Sequence, residues 1–164
     1  MQDKARKVVN NKDIFLLIAI SFLVFVFDQF TKVIIRQNLS NGEIISIIDG
    51  FVQIKGVDNP GGAFGFFPGS KIFLLTVSIV VVIIAVIYWQ MNRPNERVLT
   101  ISFGLIIGGA LGNMLDRFLF SNVTDFIDFR YWPVFNIADL SIVLGMIFFL
   151  NSCLKNEGDH RERE

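Results

Sequence analysis

The sequence has very few of the residues that build disulfides, metal centres and imidazole-dependent active sites. Its 164 residues include one cysteine and one histidine. A lone Cys153 excludes an internal disulfide, a cysteine-rich zinc site and an iron–sulfur cluster, since each needs several thiolates. His160 lies among charged residues near the end of the chain, which disfavours a catalyst that depends on a histidine base. Any chemistry must therefore rely mainly on carboxylates, amides, lysine and arginine.

Charge is also scarce. The 15 basic and 15 acidic side chains cancel, and only 18% of the residues are charged. This balance argues against nucleic-acid binding, which needs a basic surface. Counted with glycine and without tyrosine, about 59% of the residues are apolar, against roughly 45–50% in soluble domains. The apolar surplus predicts a membrane protein.

Four apolar stretches are long enough to cross a bilayer, whose core of about 30 Å needs roughly 20 helical residues. They occupy residues 14–35, 72–89, 98–115 and 134–150. We therefore predict an all-α polytopic membrane protein with four transmembrane helices, in which residues 1–164 form one domain.

The distribution of lysine and arginine predicts the orientation of these spans. Nine of the 15 basic residues lie on the side that holds both termini, and six lie on the other side. The positive-inside rule then places both termini in the cytoplasm. Three of the four spans carry polar residues at their extracytoplasmic ends, so polar groups collect near that face.

The longest connection, residues 36–71, also lies on the extracytoplasmic side. It contains two β-prone stretches, 44–48 and 51–57, separated by Asp49-Gly50. Such a pattern is typical of a β-hairpin. We expect a small extracytoplasmic β-sheet over the helices.

Carboxylates near the hydrocarbon core are costly, so each needs a partner or a function. Asp28 and Lys32 are four residues apart on one helix face, which predicts an ion pair. Asp116 is expected to be satisfied locally by Arg117 and Asn113. Asp28, Lys32 and Asp116 are therefore interpreted as structural support.

Asp125 and Asp139 differ, because neither has a lysine or arginine within four residues. Two carboxylates that share a dry site cannot both ionise cheaply, so one keeps its proton while the other acts as a base. An aspartic hydrolase uses such a pair to activate water and to protonate the oxyanion and the leaving amine. Structural networks and proton relays also use buried aspartates, so spacing alone leaves these alternatives open.

Amides and glycines at the same depth favour a site for a peptide. The amides are Asn59, Asn113 and Asn136. They offer uncharged donors and acceptors to a peptide backbone. In the third span, glycines that recur every four residues predict close helix packing at Gly104 and Gly108. The neighbouring row of Gly109, Asn113 and Arg117 is expected to form the floor of a substrate groove.

Five segments of the chain resemble, in order, the motif blocks of bacterial lipoprotein signal peptidase, also called signal peptidase II. The segments span residues 28 to 139 and are Asp28-Gln29-Phe30-Thr31-Lys32, Asn59-Pro60-Gly61-Gly62-Ala63-Phe64-Gly65, Gly108-Gly109-Ala110-Leu111-Gly112-Asn113-Met114-Leu115-Asp116-Arg117, Val123-Thr124-Asp125-Phe126 and Phe135-Asn136-Ile137-Ala138-Asp139.

This resemblance implies an aspartic endopeptidase of the bacterial inner membrane. It would remove the signal peptide from prolipoproteins by cleaving before a cysteine that carries diacylglycerol. The resemblance makes Asp125 and Asp139 the catalytic pair, near the extracytoplasmic face. The substrate groove would be lined by Asn59, Gly109, Asn113, Arg117 and Asn136, with Asp28, Lys32 and Asp116 as supports.

The resemblance implies no metal and no organic cofactor. The expected partners are the prolipoprotein, membrane lipids and the inhibitor globomycin, which would occupy the same groove, and no nucleic acid. We expect a monomer. The competing interpretation is a small ion or proton-coupled membrane channel or carrier that uses buried aspartates. A phosphotransferase that binds magnesium through carboxylates is a further alternative.

Overall fold

The computed structural model describes residues 10–39, 43–60, 71–92 and 97–161. Within these residues the chain forms four helices and three strands. The elements are α1 (Asn11–Asn38), β1 (Ile44–Ile48), β2 (Val52–Asn59), α2 (Lys71–Asn92), α3 (Arg97–Phe120), β3 (Val123–Asp128) and α4 (Ile137–Arg161). Most of the glycine-rich segment that follows Asn59 lies outside the described residues.

All four helices are long and apolar enough to cross a membrane, which confirms the predicted fold class. The ends of the helices differ from those of the predicted spans where capping residues or turns fix them. Asn10 accepts a hydrogen bond from the Lys12 N–H at 3.0 Å, so α1 begins before the apolar run. α3 continues to Phe120 and ends where Ser121 adopts a positive φ of 69°. α3 therefore carries Asp116, which the sequence analysis placed beyond the span.

α3 is the central helix of the bundle. Of the residues in its most apolar 18-residue segment, 61% are buried inside the protein. The corresponding shares for α1, α2 and α4 are 17%, 11% and 22%. Small residues allow this close packing, because a Cβ built on Gly104 would lie 2.8 Å from the Ile20 Cβ and one on Gly108 would lie 2.6 Å from the Ser21 oxygen. The predicted packing role of Gly104 and Gly108 is confirmed.

The described strands form one antiparallel sheet in the order β1-β2-β3. The hairpin predicted from residues 44–57 is present as β1 and β2. β3 was not predicted, because it is a short strand buried on both faces and shows no alternation of polar and apolar residues. Its pairing places Asn59 opposite Val123 and Val57 opposite Asp125. The sheet thus brings Asn59 to the strand that carries Asp125.

Candidate active site

Asp125 and Asp139 come from different elements and line one cavity. Asp125 lies on β3 and is 2% exposed, and Asp139 lies in the first turn of α4. The cavity has a volume of about 590 Å³. Its other walls are formed mainly by the chain around β3 and the start of α4, with Asn59, Arg117, Val123, Phe129, Trp132, Pro133, Val134, Phe135, Leu140, Ile142 and Val143 in the lining.

The position of Asp139 follows from how α4 begins. Asn136 is the last residue before the helix, and its Oδ1 accepts the Asp139 N–H at 2.9 Å. In return, the Asn136 N–H donates to Asp139 Oδ2 at 3.3 Å. This reciprocal capping satisfies N–H groups that have no partner within their own helix. The helix therefore begins at Ile137, three residues later than predicted, and capping fixes the Asp139 side chain at its end.

Three side-chain amides donate hydrogen bonds to the two carboxylates. Asn59 and Asn136 donate to Asp125 at 2.8 and 2.6 Å. Asn113 donates to Asp139 Oδ1 at 2.8 Å. Asn136 also donates to Asn113 Oδ1 at 3.2 Å, so the amides form one connected network around the pair.

The surroundings of Asp125 change its proton affinity. Burial raises the pKa of Asp125, and the nearby charge of Asp139 raises it further, to about 7. The hydrogen bonds from Asn59 and Asn136 act in the opposite direction and only reduce this rise. A carboxyl group with a pKa near neutrality both releases and accepts protons under ordinary conditions.

Asp28, Lys32 and Asp116 form a buried ionic cluster beside the pair. Lys32 Nζ lies 2.8 Å from Asp28 Oδ2, which confirms the predicted ion pair, and 3.2 Å from Asp116 Oδ2. Lys32 also donates to Asn113 Oδ1 at 2.9 Å. The three charged side chains are fully buried, so their stability depends on this mutual pairing.

The expectation that Asp116 pairs with Arg117 was wrong. Consecutive helix residues point in different directions, and Asp116 instead contacts Lys32 and Arg36. Arg117 donates to Ser78 Oγ and to the Asn113 carbonyl oxygen, both at 3.4 Å. Arg117 also lines the cavity, within range of a favourable charge interaction with the catalytic candidates.

Gly109 lies at the contact between α3 and α4. A Cβ built there would lie 2.5 Å from the Ala138 oxygen and 2.9 Å from Ile142 Cγ1. A packing contact between helices therefore accounts for this glycine. Its expected place on the floor of a substrate groove stays a prediction, as do the substrate-binding roles of Asn113 and Asn136.

Comparison with known proteins identifies the family. The family model described as signal peptidase (SPase) II matches residues 20–155. The chain belongs to the signal peptidase II family. This result confirms the resemblance seen in the sequence and favours a peptidase over a channel or carrier. A signal peptidase is a protease, and lipoprotein signal peptidases act on prolipoprotein substrates.

Curated relatives and solved structures agree with this membership. The lipoprotein signal peptidase of Halothermothrix orenii is 42% identical over 123 residues, covering 75% of this chain and 84% of the relative. That of Pelotomaculum thermopropionicum is 38% identical over 151 residues, covering 92% and 97%. A solved bacterial membrane enzyme is 33% identical, with a TM-score of 0.86 over 92% of this chain and 94% of the other.

The sequence analysis missed two polar side chains that contact the buried ionic cluster. Gln29 donates to the Gly112 oxygen at 3.0 Å and to Asp116 Oδ1 at 3.3 Å. Arg36 donates to Asp116 Oδ1 at 3.3 Å and to Thr124 Oγ1 at 3.0 Å. A signal for both was present, because positions 29, 32 and 36 share one helix face through spacings of three and four.

Proposed function

We propose that this member of the signal peptidase II family is an aspartic endopeptidase whose catalytic pair is Asp125 and Asp139. One observation carries the proposal: two aspartates from separate elements line the same cavity, and separate amide donors hold each of them. The reaction is removal of the signal peptide from a prolipoprotein, by cleavage before a cysteine that carries diacylglycerol.

The two aspartates take different roles in this mechanism. Asp125, whose pKa is raised to about 7, starts with the proton. Two carboxyl groups that share a site do not both ionise cheaply, so Asp139 takes the complementary role of the base. Asp139 removes a proton from water as the water oxygen attacks the scissile carbonyl carbon, and Asp125 protonates the carbonyl oxygen.

The second half of the reaction returns both protons. The tetrahedral intermediate breaks at its C–N bond while protonated Asp139 donates to the leaving nitrogen, which becomes the amino group of the lipidated cysteine. Asp125 recovers its proton from the hydroxyl group as the new carboxylic acid forms. Both aspartates end the cycle as they began it, with one water consumed.

The apolar lining of the cavity supports a lipidated substrate. Leu140 and Val143 line the cavity, and they are 41% and 52% exposed on a helix that is long enough to span the membrane. An acyl chain that lies along this exposed face of α4 reaches the cavity through Leu140 and Val143. Asn59 and Arg117 in the same lining supply polar contacts for the peptide backbone.

The remaining expectations belong to the same proposal. The enzyme lies in the bacterial inner membrane as a monomer, with both termini in the cytoplasm and the catalytic pair near the extracytoplasmic face. The excess of basic residues on the side of the termini supports this orientation. Asn113, Asn136 and Gly109 complete the groove, and globomycin occupies it in competition with substrate.

Purified protein tests the proposal with two precursors that differ only in lipidation of the cysteine. We expect cleavage of the lipidated precursor alone, with no loss of rate in the presence of a chelator. Asp125→Asn and Asp139→Asn should each remove nearly all cleavage with the fold intact, because asparagine keeps the size but exchanges no proton.

The double variant should be no slower than either single variant, because both residues act in one step. A single variant that keeps a tenth of the wild-type rate contradicts the catalytic assignment. Cleavage of the unlipidated precursor at an equal rate contradicts the proposed substrate. A cleavage rate that depends on added magnesium contradicts a metal-free mechanism.

A further inference from the structure

Two buried carboxylates contact the backbone immediately before the proposed catalytic residues. Asp28 Oδ1 accepts the N–H of Ala138 at 2.9 Å, and Asp116 Oδ2 accepts the N–H of Thr124 at 3.2 Å. Ala138 directly precedes Asp139, and Thr124 directly precedes Asp125. Each carboxylate therefore fixes the backbone at one member of the pair.

Lys32 joins these two carboxylates. Its Nζ lies 2.8 Å from Asp28 Oδ2 and 3.2 Å from Asp116 Oδ2. The third contact of the ammonium group is with Asn113 Oδ1, at 2.9 Å. An ammonium group has three donors and no acceptor, so it keeps the amide oxygen of Asn113 toward Lys32 and the amide nitrogen toward Asp139.

We propose that Asp28, Lys32 and Asp116 form a brace that sets the spacing between Asp125 and Asp139. The proposal rests on the catalytic assignment made above. In the brace, Lys32 is the central tie, Asp28 holds the first turn of α4 and Asp116 holds β3. The three are positioning residues, because they act on the catalytic pair through the backbone and through Asn113.

The two backbone groups need these partners. The N–H of Ala138 belongs to the first turn of α4, where N–H groups have no partner within the helix. β3 lies at one end of the strand order β1-β2-β3 in the described part of the chain, so one of its sides is free of strand pairing near Thr124. Without the brace, both N–H groups lose the carboxylate that accepts their hydrogen bond.

The brace is separate from the groove. Among the described residues that line the cavity, Asp28, Lys32 and Asp116 do not occur. Loss of the brace should therefore change the turnover step more than substrate binding. A displacement of about 1 Å between reacting groups can reduce a rate by about 100-fold.

The test uses two variants and compares their effects on kcat with their effects on KM. Lys32→Met removes the tie, and we expect kcat to fall about 100-fold while KM changes less than about threefold. Asp28→Asn/Lys32→Met/Asp116→Asn also neutralises the two carboxylates that lose the ammonium group in Lys32→Met. A neutral core of similar volume often restores stability, so this triple variant should regain melting temperature but not kcat. If one variant fails to fold, the kcat of the other still tests whether the brace supports turnover.

Ser102→Ala is the matched control for lost stability. Ser102 is fully buried and donates to the Gly145 oxygen at 2.5 Å, and it lies about 16 Å along α3 from Asn113, at 1.5 Å per residue. This control should lower the melting temperature and keep the wild-type kcat at temperatures where the protein is folded.

Recovery of kcat together with melting temperature in the triple variant would overturn the brace, as would a wild-type kcat in folded Lys32→Met. The catalytic assignment is tested separately by Asp125→Asn and Asp139→Asn. If these two are inactive while the brace variants keep kcat, the brace alone is wrong. If these two cleave normally, the proposed function itself is wrong.

Discussion

Asn136 donates its side-chain amide to Asp125 at 2.6 Å, while the oxygen of the same amide accepts the N–H of Asp139. A single side chain therefore contacts both proposed catalytic residues. The bond to Asp125 favours the charged carboxylate, but burial and the charge of Asp139 outweigh it and leave the pKa of Asp125 at about 7. This balance keeps a proton available to the pair near neutral pH.

The raised pKa of Asp125 predicts how stability depends on pH. Between its ordinary value of 3.8 and about 7, the folded protein binds more protons at this site than the unfolded chain does. The free energy of unfolding should therefore fall as pH rises through this window, and Asp125→Asn should remove that contribution. Melting temperatures at pH 5 and pH 8 measure it, and kcat/KM should decline above about pH 7.

Asp128→Asn is the control for the pH experiment. Burial acts to raise the pKa of Asp128, but hydrogen bonds from Lys55, Gln53 and the Arg130 N–H outweigh it and lower the pKa. The stability from this group is lost only as pH falls below about 4. Asp128→Asn should thus shift the melting temperature equally at pH 5 and pH 8. Equal pH slopes in wild type and Asp125→Asn would contradict the raised pKa.

Asn113→Ala should reduce activity through the loss of three contacts. Asn113 joins Lys32, Asn136 and Asp139. Removing these hydrogen bonds should cost about 1–3 kcal/mol, or roughly one to two orders of magnitude in kcat/KM. The rise in melting temperature on adding globomycin should also become smaller.

Asn38→Ala provides the comparison for Asn113→Ala, because Asn38 is exposed and its side-chain amide donates to the Ile34 oxygen at 2.8 Å. This variant should keep both the wild-type rate and the wild-type response to globomycin. Full activity in Asn113→Ala would show that the amide network does not support the pair.

Gly109→Ala and Gly104→Ala separate packing near the site from packing far from it. Each new Cβ would meet a neighbour at 2.5 or 2.8 Å, so both variants should lose about 1–3 kcal/mol of stability through overpacking. At temperatures where both are folded, only Gly109→Ala should have a lower kcat, because it displaces Ala138 beside Asp139. Melting curves and kinetics on the same samples give the comparison, and an unchanged kcat in Gly109→Ala would contradict it.

Several features of the molecule were predictable because they depend on neighbours along the chain. The length and apolarity of the spans are set by the thickness of the bilayer, so the four helices follow from the four apolar stretches of the sequence. The ion pair of Asp28 and Lys32 follows from helix geometry, since residues four apart share a face. Asp125 and Asp139 were candidates because the nearby sequence offered no basic partner.

Other features depended on how the helices are turned toward one another. The sequence placed Arg117 beside Asp116, but the rotation of α3 directs Asp116 to Lys32 and Arg36 on α1. The same rotation sets Gly109 against α4, which a list of glycine spacings cannot reveal. Spacing along one helix predicts which residues share a face, whereas the partner of that face is decided only by packing between helices.

The strand β3 and the contacts around the proposed catalytic pair also required the tertiary structure. Residues 123–128 are buried on both faces and lack the alternation that identifies a strand, so only pairing with β2 makes them one. That pairing brings Asp125 to Asn59, 66 positions apart in the chain. The sequence by itself determined a four-span membrane protein with candidate acidic residues. The tertiary structure decided which amides and charges surround each carboxylate, because hydrogen bonds between distant residues depend on the relative placement of whole helices and strands.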